Sequence, residues 1–204
     1  MTRTTVYLAG LLLGCLIAGS AMAGNLGVTV LDESGKPLRD AVVFLESAQA
    51  KRMVKPLPLA QMAQRDKAFI PSLLVIPAGT NVSFPNLDTV RHHVYSFSPA
   101  KRFELKLYVG TPTNPVQFDQ AGVVVMGCNI HDQMIAYILV VDTPFYGVAT
   151  ANGLLSINDV PPGEYSLRVW HSRLPVGAPA TKQVLKLDAN NAAINVTLKG
   201  LGPQ

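Results

Sequence analysis

The stretch GVVVMGCNIHDQMIAYILVV, residues 122–141, decides the fold of this chain. It predicts two strands, Gly122–Cys128 and Ile135–Val141, because short runs rich in Val and Ile are typical of buried strands. The loop between them brings a thiol, an imidazole and a thioether into seven consecutive residues, at Cys128, His131 and Met134. A loop this short can direct all three side chains toward one point, so the stretch indicates a metal site between two strands.

The ligand chemistry favours copper. Two imidazoles, a thiolate and a weak axial thioether form the ligand set of electron-transfer copper sites. The missing imidazole is supplied upstream, where His92 and His93 stand at the start of a predicted strand. Strand alternation sends these two side chains to opposite faces, so only one of them can be a ligand by ordinary geometry. Strand geometry alone leaves open whether His92 or His93 is that ligand.

Residues 69–142 resemble a cupredoxin, a small blue copper protein of the amicyanin and plastocyanin type. The C-x-x-H-x-x-M spacing of Cys128, His131 and Met134 is similar to the amicyanin ligand loop. The resemblance implies a Greek-key sandwich that binds one type 1 copper ion through His92, Cys128, His131 and Met134, and that has no catalytic residue. The family usually has Asn after its first His ligand, to brace the cysteine loop, whereas this chain has His93.

The flanking segments resemble a carboxypeptidase-regulatory-like β-sandwich of the transthyretin and immunoglobulin-like type. The residues that support this likeness are 27–38, 150–153 and 160–169. The resemblance implies a second, smaller sandwich formed by residues 24–50 plus 143–204, with the cupredoxin domain, residues 51–142, inserted in it or adjoining it. In a rival division, residues 25–47 supply the first strands of the cupredoxin itself. Chains that combine these two parts are similar to methylamine-utilisation proteins.

Composition agrees with an all-β chain. The 204 residues are 49% apolar and 15% charged, with 16 Gly and 15 Pro that separate short strand patterns. The net charge of +4 comes without a basic run, which argues against a nucleic-acid partner. We expect a hairpin of the first two strands and a short helical piece near residues 59–64. Strands are predicted at 26–31, 41–45, 73–76, 81–84, 92–97, 103–108, 122–128, 135–141, 147–150, 154–157, 165–171, 183–187 and 194–198.

The N-terminus predicts export. Residues 1–23 combine Arg3, an apolar stretch and the cleavage pattern Ala21-Met22-Ala23, which are typical of a signal peptide. The apolar stretch is shorter than a membrane-spanning helix needs, so we expect a periplasmic protein with no membrane span. Lipid attachment at Cys15 is a minor alternative. Removal of the signal leaves Cys128 as the only thiol, and an intramolecular disulfide is then impossible.

The function predicted from these residues is one-electron transfer without turnover of a substrate. By resemblance, the partner is another exported redox protein, such as a c-type cytochrome or a dehydrogenase, that docks at the His131 edge. One alternative is a protein that binds or handles copper without electron-transfer turnover. A less favoured alternative is a Cys-His hydrolase that uses Cys128 and His131. We interpret Asp88 and Asp132 as turn residues and His171 as a surface or packing residue.

Overall fold

A computed structural model describes residues 23–203 of the chain. It confirms the all-β prediction: the described residues form several sheets and one five-residue helix, α1 (Ala48–Arg52). The strands up to residue 83 are β1 (Gly24–Leu31), β2 (Val42–Glu46), β3 (Ala60–Gln61), β4 (Ala63–Arg65), β5 (Ala68–Ile70), β6 (Leu73–Pro77) and β7 (Thr80–Ser83). They continue with β8 (His92–Ser98), β9 (Lys101–Tyr108), β10 (Val116–Phe118), β11 (Gly122–Cys128) and β12 (Ile135–Val141). The last are β13 (Tyr146–Val148), β14 (Leu154–Val160), β15 (Gly163–Trp170), β16 (Thr181–Leu187) and β17 (Ala192–Thr197).

The middle of the chain packs around one core. Its five-stranded sheet has the order β6-β12-β11-β8-β9, and a three-stranded sheet has the order β10-β7-β3. Alternating side chains of both sheets point inward, and their buried members include Phe84, Phe118, Val124 and Ile138. The aromatic rings of Phe84 and Phe118 lie 6.4 Å apart in this core. Burial of such large apolar side chains is the main stabilising contribution to the middle sheets.

The two ends of the chain pack around a second core. Its sheets have the orders β14-β1-β17 and β13-β2-β15-β16. β1 pairs with β17 in parallel, with Leu26 opposite Ala192. Val28 and Val30 of β1 face Val43 and Leu45 of β2 across the core, all nearly inaccessible to solvent. The hydrogen bonds of β1 and β2 go to strands after residue 142, and to none of the described strands between residues 51 and 142.

A third apolar cluster joins the two halves. Val42, Phe44 and Trp170 pack against Leu139 and Val141 of β12. The chain crosses between the halves at two points that lie side by side. There, Lys51 Nζ is 2.7 Å from Asp142 Oδ2.

Some local predictions were wrong. β1 and β2 do not form a hairpin, because β1 pairs with β14 and β17 whereas β2 lies in the opposite sheet between β13 and β15. Residues 60–65 form β3 and β4, and the helix lies earlier, where the Ser47 side chain accepts a hydrogen bond from Ala50 N. β5 and β10 were not predicted, since three-residue strands leave little periodicity to detect.

The segment predicted to be a signal peptide lies almost entirely outside the described residues, as does Cys15. In residues 23–203, the structure contains no helix with the length and apolar character needed to cross a membrane.

Candidate metal centre

One cluster of metal-ligating side chains lies at an end of the middle sheets. His92 and His131 each present Nδ1 to the Cys128 sulfur, at 3.8 Å and 3.7 Å. The three ligand atoms lie within 4.8 Å of one another. His92 and Cys128 are buried, whereas His131 is partly exposed. The cluster therefore has three inward-facing donor atoms and a single edge that reaches solvent.

The pairing of β8 with β11 brings His92 and Cys128 together. Cys128, the last residue of β11, is opposite Val94, and Gly127 is opposite Tyr95. His92 begins β8 next to Tyr108 of β9, with a register shift before Val94. Two residues distant in sequence thus share the inner face of one sheet.

His93 lies on the other face, as alternation predicts. Its Nε2 is 2.8 Å from Glu104 Oε1, and its ring packs edge-on against Tyr95 at 6.0 Å. The carbonyl oxygen of His93 accepts a hydrogen bond of 3.3 Å from Asn129 N. The main chain of His93, and not its imidazole, therefore braces the cysteine loop.

A tight loop returns from Cys128 to β12. Met134 N donates to the carbonyl oxygen of His131 at 2.9 Å, which closes the loop beneath the imidazole. Met134 is 1% exposed and belongs to the same apolar core as Cys128. Asp132 is exposed on the outside of the loop. The loop thus directs His131 toward the cysteine sulfur and Met134 into the core.

Asp88 holds the far nitrogen of His92. Its Oδ2 is 2.7 Å from His92 Nε2, and the carboxylate also accepts hydrogen bonds from Asp66 N and Lys67 N at 2.7 Å and 3.0 Å. A carboxylate at Nε2 favours a proton there, which leaves Nδ1 free to bind a metal. Our interpretation of Asp88 as a turn residue was therefore incomplete.

The electrostatics of Asp88 favour its charged form. Burial acts to raise the pKa of this carboxyl, but the hydrogen bonds from Lys67 N, His92 and Asp66 N outweigh burial and lower the pKa. The two turn residues that donate to it have positive φ values of 54° and 56°. The carboxylate thus stabilises a turn that is unfavourable for residues other than Gly.

A second polar network supports the loop that holds Asp88. Asn86 Oδ1 accepts from Asp88 N at 2.9 Å, and Asn86 Nδ2 donates to the carbonyl oxygens of Val90 and Tyr108. The Tyr108 hydroxyl donates to the carbonyl oxygen of Phe84 and accepts from the Gln64 amide, both at 2.7 Å. Burial raises the pKa of Tyr108 to about 12. The hydroxyl therefore stays protonated at neutral pH, as its donated hydrogen bond requires.

The donor set fits a three-coordinate metal. Bonds of about 2.3 Å to sulfur and about 2.0 Å to each nitrogen, with angles of about 120°, would separate sulfur from nitrogen by about 3.7 Å. The two measured separations are 3.8 Å and 3.7 Å. Both sulfur–nitrogen separations therefore match those expected for one ion held by these donors.

Sequence reasoning found the clustered donors but missed the polar network around them. Asp88 precedes His92 by four residues, and this spacing in a loop was the one available signal. Gln64 gave no signal, because its partners, the carbonyl oxygen of Phe84 and the hydroxyl of Tyr108, lie 20 and 44 residues away, and the contact of Asn86 with the carbonyl oxygen of Tyr108 spans 22 residues. Such contacts depend on the register of the sheets.

Comparison with known proteins gives structural neighbours alone. No family model matches the chain, and no curated protein matches it. It is similar to a copper-containing nitrite reductase from Thermus scotoductus SA-01, at 26% identity and a TM-score of 0.39, over 43% of this chain and 23% of that chain. It is also similar to a purple cupredoxin from Nitrosopumilus maritimus, at 23% identity and a TM-score of 0.35, over 40% of this chain and 99% of that one. A reduced Cu(I) form of an amicyanin variant matches at 17% identity and a TM-score of 0.36, over 48% of this chain and 98% of that one. The chain thus spans about a quarter of the nitrite reductase, and each match covers less than half of this chain.

Proposed function

We propose that the protein is an exported type 1 copper protein that acts as a one-electron carrier between periplasmic redox partners. The observation that supports this function best is the convergence of two imidazole nitrogens on one buried thiol, at 3.8 Å and 3.7 Å. Two imidazoles and a thiolate are the equatorial ligands of electron-transfer copper sites. A copper ion bound there would supply one-electron chemistry by alternating between Cu(I) and Cu(II).

In this proposal His92, Cys128, His131 and Met134 would hold one copper ion, with Met134 as the weak thioether (axial) ligand. The burial of Met134 in the core that contains Cys128 supports this role. The contact of His92 with Asp88 supports His92 over His93, because Asp88 orients the free Nδ1 toward the sulfur. His93 faces Glu104 instead.

The chain would hold these ligands in one arrangement for both oxidation states. His92 and Cys128 are attached to hydrogen-bonded strands, and the loop turn at His131 and Met134 is closed by a main-chain hydrogen bond. Little movement of the ligands means a small reorganisation cost when one electron arrives or leaves. His131 is the partly exposed member, and Ile130 beside it is 48% exposed. This edge is where we propose that a c-type cytochrome or a dehydrogenase docks.

The same proposal divides the chain into residues 51–142 as the cupredoxin domain and residues 24–50 plus 143–204 as the carboxypeptidase-regulatory-like sandwich. Separate apolar cores and the adjacency of Lys51 and Asp142 support the insertion, because an inserted domain must leave and rejoin its host at neighbouring points. Residues 1–23 would be removed on export to the periplasm.

Burial opposes the hydrolase alternative. Cys128 is 4% exposed, and a nucleophile has to contact its substrate. The proposal that the protein is not an enzyme rests on this burial and on the match between the donor set and copper.

The test is titration of the purified mature chain with Cu(II), followed by visible absorption and electron paramagnetic resonance. We expect an intense blue or green band with narrow copper hyperfine splitting, lost in Cys128→Ser and His92→Ala and retained in the matched variant His93→Ala. Electron self-exchange measured on the coloured protein separates a carrier, which exchanges fast, from a protein that only handles copper. A colourless wild-type titration contradicts the proposal.

A further inference from the structure

An apolar groove lies beside the candidate metal centre, on the outer face of the five-stranded sheet. Its volume is about 450 Å³, and its lining includes Tyr95, Phe97, Gly127, Ile135 and Val176. The first four belong to β8, β11 and β12. Val176 comes from the connection between β15 and β16, so both halves of the chain contribute to the groove.

Several large apolar side chains of the groove are unusually exposed to solvent. Val176 is 87% exposed and Phe97 is 73% exposed, the two highest values among the large hydrophobic residues that the structure describes. Ile135, on the same groove, is 54% exposed. Single exposed apolar side chains are ordinary, but several that line one groove indicate a surface that binds another molecule.

The floor of the groove touches the segment that holds Cys128. A Cβ atom added to Gly127 would lie 3.0 Å from Cζ and from the hydroxyl oxygen of Tyr95, so the Tyr95 ring rests directly on the main chain before the cysteine. The Tyr95 and Phe97 rings are 5.1 Å apart. A chain of contacts therefore connects Cys128 with the exposed ring of Phe97 without passing through His131.

The charges beside the groove indicate what charge its partner should carry. None of the described residues that line it carries a charge, so the charges that matter lie beside the groove. Arg102 of β9 is exposed and stands directly opposite Phe97, so both side chains share the outer face of the sheet. The same alternation places Glu104 and Lys106, both exposed, on that face, and the Glu104 carboxylate lies 2.8 Å from His93 Nε2, so the cations of β9 outnumber its carboxylates there. These charges are complementary to a negatively charged rim.

We infer that this groove is a second docking surface, for a one-electron redox protein whose apolar contact patch is surrounded by carboxylates. The inference rests on the proposed function, because it makes Tyr95 and Phe97 the contact between the copper site and the partner. One electron would pass in each encounter, and the partner is reduced by one electron as the site is oxidised by one. The second sandwich then has a role: its Val176 completes the surface.

Docking is tested by nuclear magnetic resonance on the full mature chain, labelled with ¹⁵N and titrated with an acidic c-type cytochrome. We expect amide shifts centred on Phe97, Val176 and Gly177, and no such shifts with a basic cytochrome of similar size. Val176→Asp and Phe97→Asp should each weaken binding at least about tenfold. The matched control Val184→Asp places the same charge on β16 at a residue that is 61% exposed and does not line the groove, and it should change affinity less than about twofold.

Other outcomes overturn the inference. Shifts confined to the His131 edge, with binding lost in Ile130→Asp and unchanged in Val176→Asp, would place the partner at the edge alone. Absence of binding to the acidic cytochrome would exclude the partner class. A dimer in sedimentation that Val176→Asp abolishes would make a second copy of this chain the occupant.

The readouts separate this inference from the proposed function. Each titration is done with the Cu(I)-loaded chain and with the metal-free chain, and copper loading is measured by the visible band of the oxidised sample. A blue band without docking rejects the groove alone. If the chain docks but never develops a visible band, the copper function is rejected, and so is the electron-transfer role of the groove.

Discussion

Removal of the Asp88 carboxylate should weaken both the fold and the metal site. In Asp88→Ala, His92 Nε2 loses its 2.7 Å partner, and the main-chain nitrogens of Asp66 and Lys67 lose theirs. His92 is fully buried in the wild-type fold, and its Nε2 has the Asp88 carboxylate as its hydrogen-bond partner. The two turn residues are exposed, and water can replace the carboxylate at their N–H groups.

The magnitude follows from this difference in exposure. A buried donor left without an acceptor costs about 2 kcal/mol, and each solvated turn N–H costs about 0.5 kcal/mol, which together lower the free energy of unfolding by about 3 kcal/mol. Loss of the group that orients a ligating imidazole lowers metal affinity about 10-fold to 100-fold. Asp88→Asn keeps one acceptor oxygen and should fall between wild type and Asp88→Ala.

The assay is urea unfolding of the metal-free chain followed by circular dichroism, together with competitive Cu(I) titration. Asp132→Ala is the control, because Asp132 is an exposed carboxylate in the ligand loop itself. It should stay within about 0.5 kcal/mol of wild type. If Asp88→Ala unfolds at the same urea concentration as Asp132→Ala, Asp88 does not hold His92 in the way the distances indicate.

Four further results are expected. Gly127→Ala should lower the free energy of unfolding, measured with urea, by about 1–3 kcal/mol, because the new methyl group meets the Tyr95 ring at 3.0 Å. A second substitution, Tyr95→Ala, in the same chain should recover part of that loss. Trp170→Ala should cost about 3–5 kcal/mol in the same measurement, because this buried ring packs against β12 at the junction of the two halves. Burial lowers the pKa of His171, and the charge of Arg173 acts in the same direction, whereas Asp40 opposes it. The folded protein therefore favours the neutral ring. This stabilises the fold above the unfolded pKa of about 6.5, and the contribution is lost as pH falls below that value. Urea midpoints between about pH 8 and about pH 5 should fall less in His171→Gln than in wild type, and equal slopes would contradict this account. Met134→Leu should keep a coloured copper site and raise its reduction potential in voltammetry, because the axial ligand tunes the potential; an unchanged potential would remove Met134 from the ligand set.

Local periodicity was enough to predict the strands that hold the candidate site. The bounds predicted for β11 and β12, Gly122–Cys128 and Ile135–Val141, agree with the structure. Cys128 and His131 lie three residues apart in sequence, so their convergence depends on one short loop. The opposite facing of His92 and His93 follows from the two-residue period of a strand, which is also a local property.

Pairing across the sequence could not be predicted in this way. Periodicity indicates which face of β1 is buried, but its neighbour β17 begins more than 160 residues later, and the pairing depends on how two sheets close around a core. The error of a hairpin between β1 and β2 has the same origin.

The sequence by itself therefore determined an all-β chain and a set of donors of the kind that binds copper. Both depend on neighbouring residues: the strands on a two-residue period, and the donors on their spacing in one loop. Only the tertiary structure decided that Asp88 reaches His92, that Tyr95 lies on Gly127, and that Val176 stands beside Phe97. Each of these contacts joins residues from different strands or loops. Their physical basis is sheet register and packing, which depend on the whole chain at once.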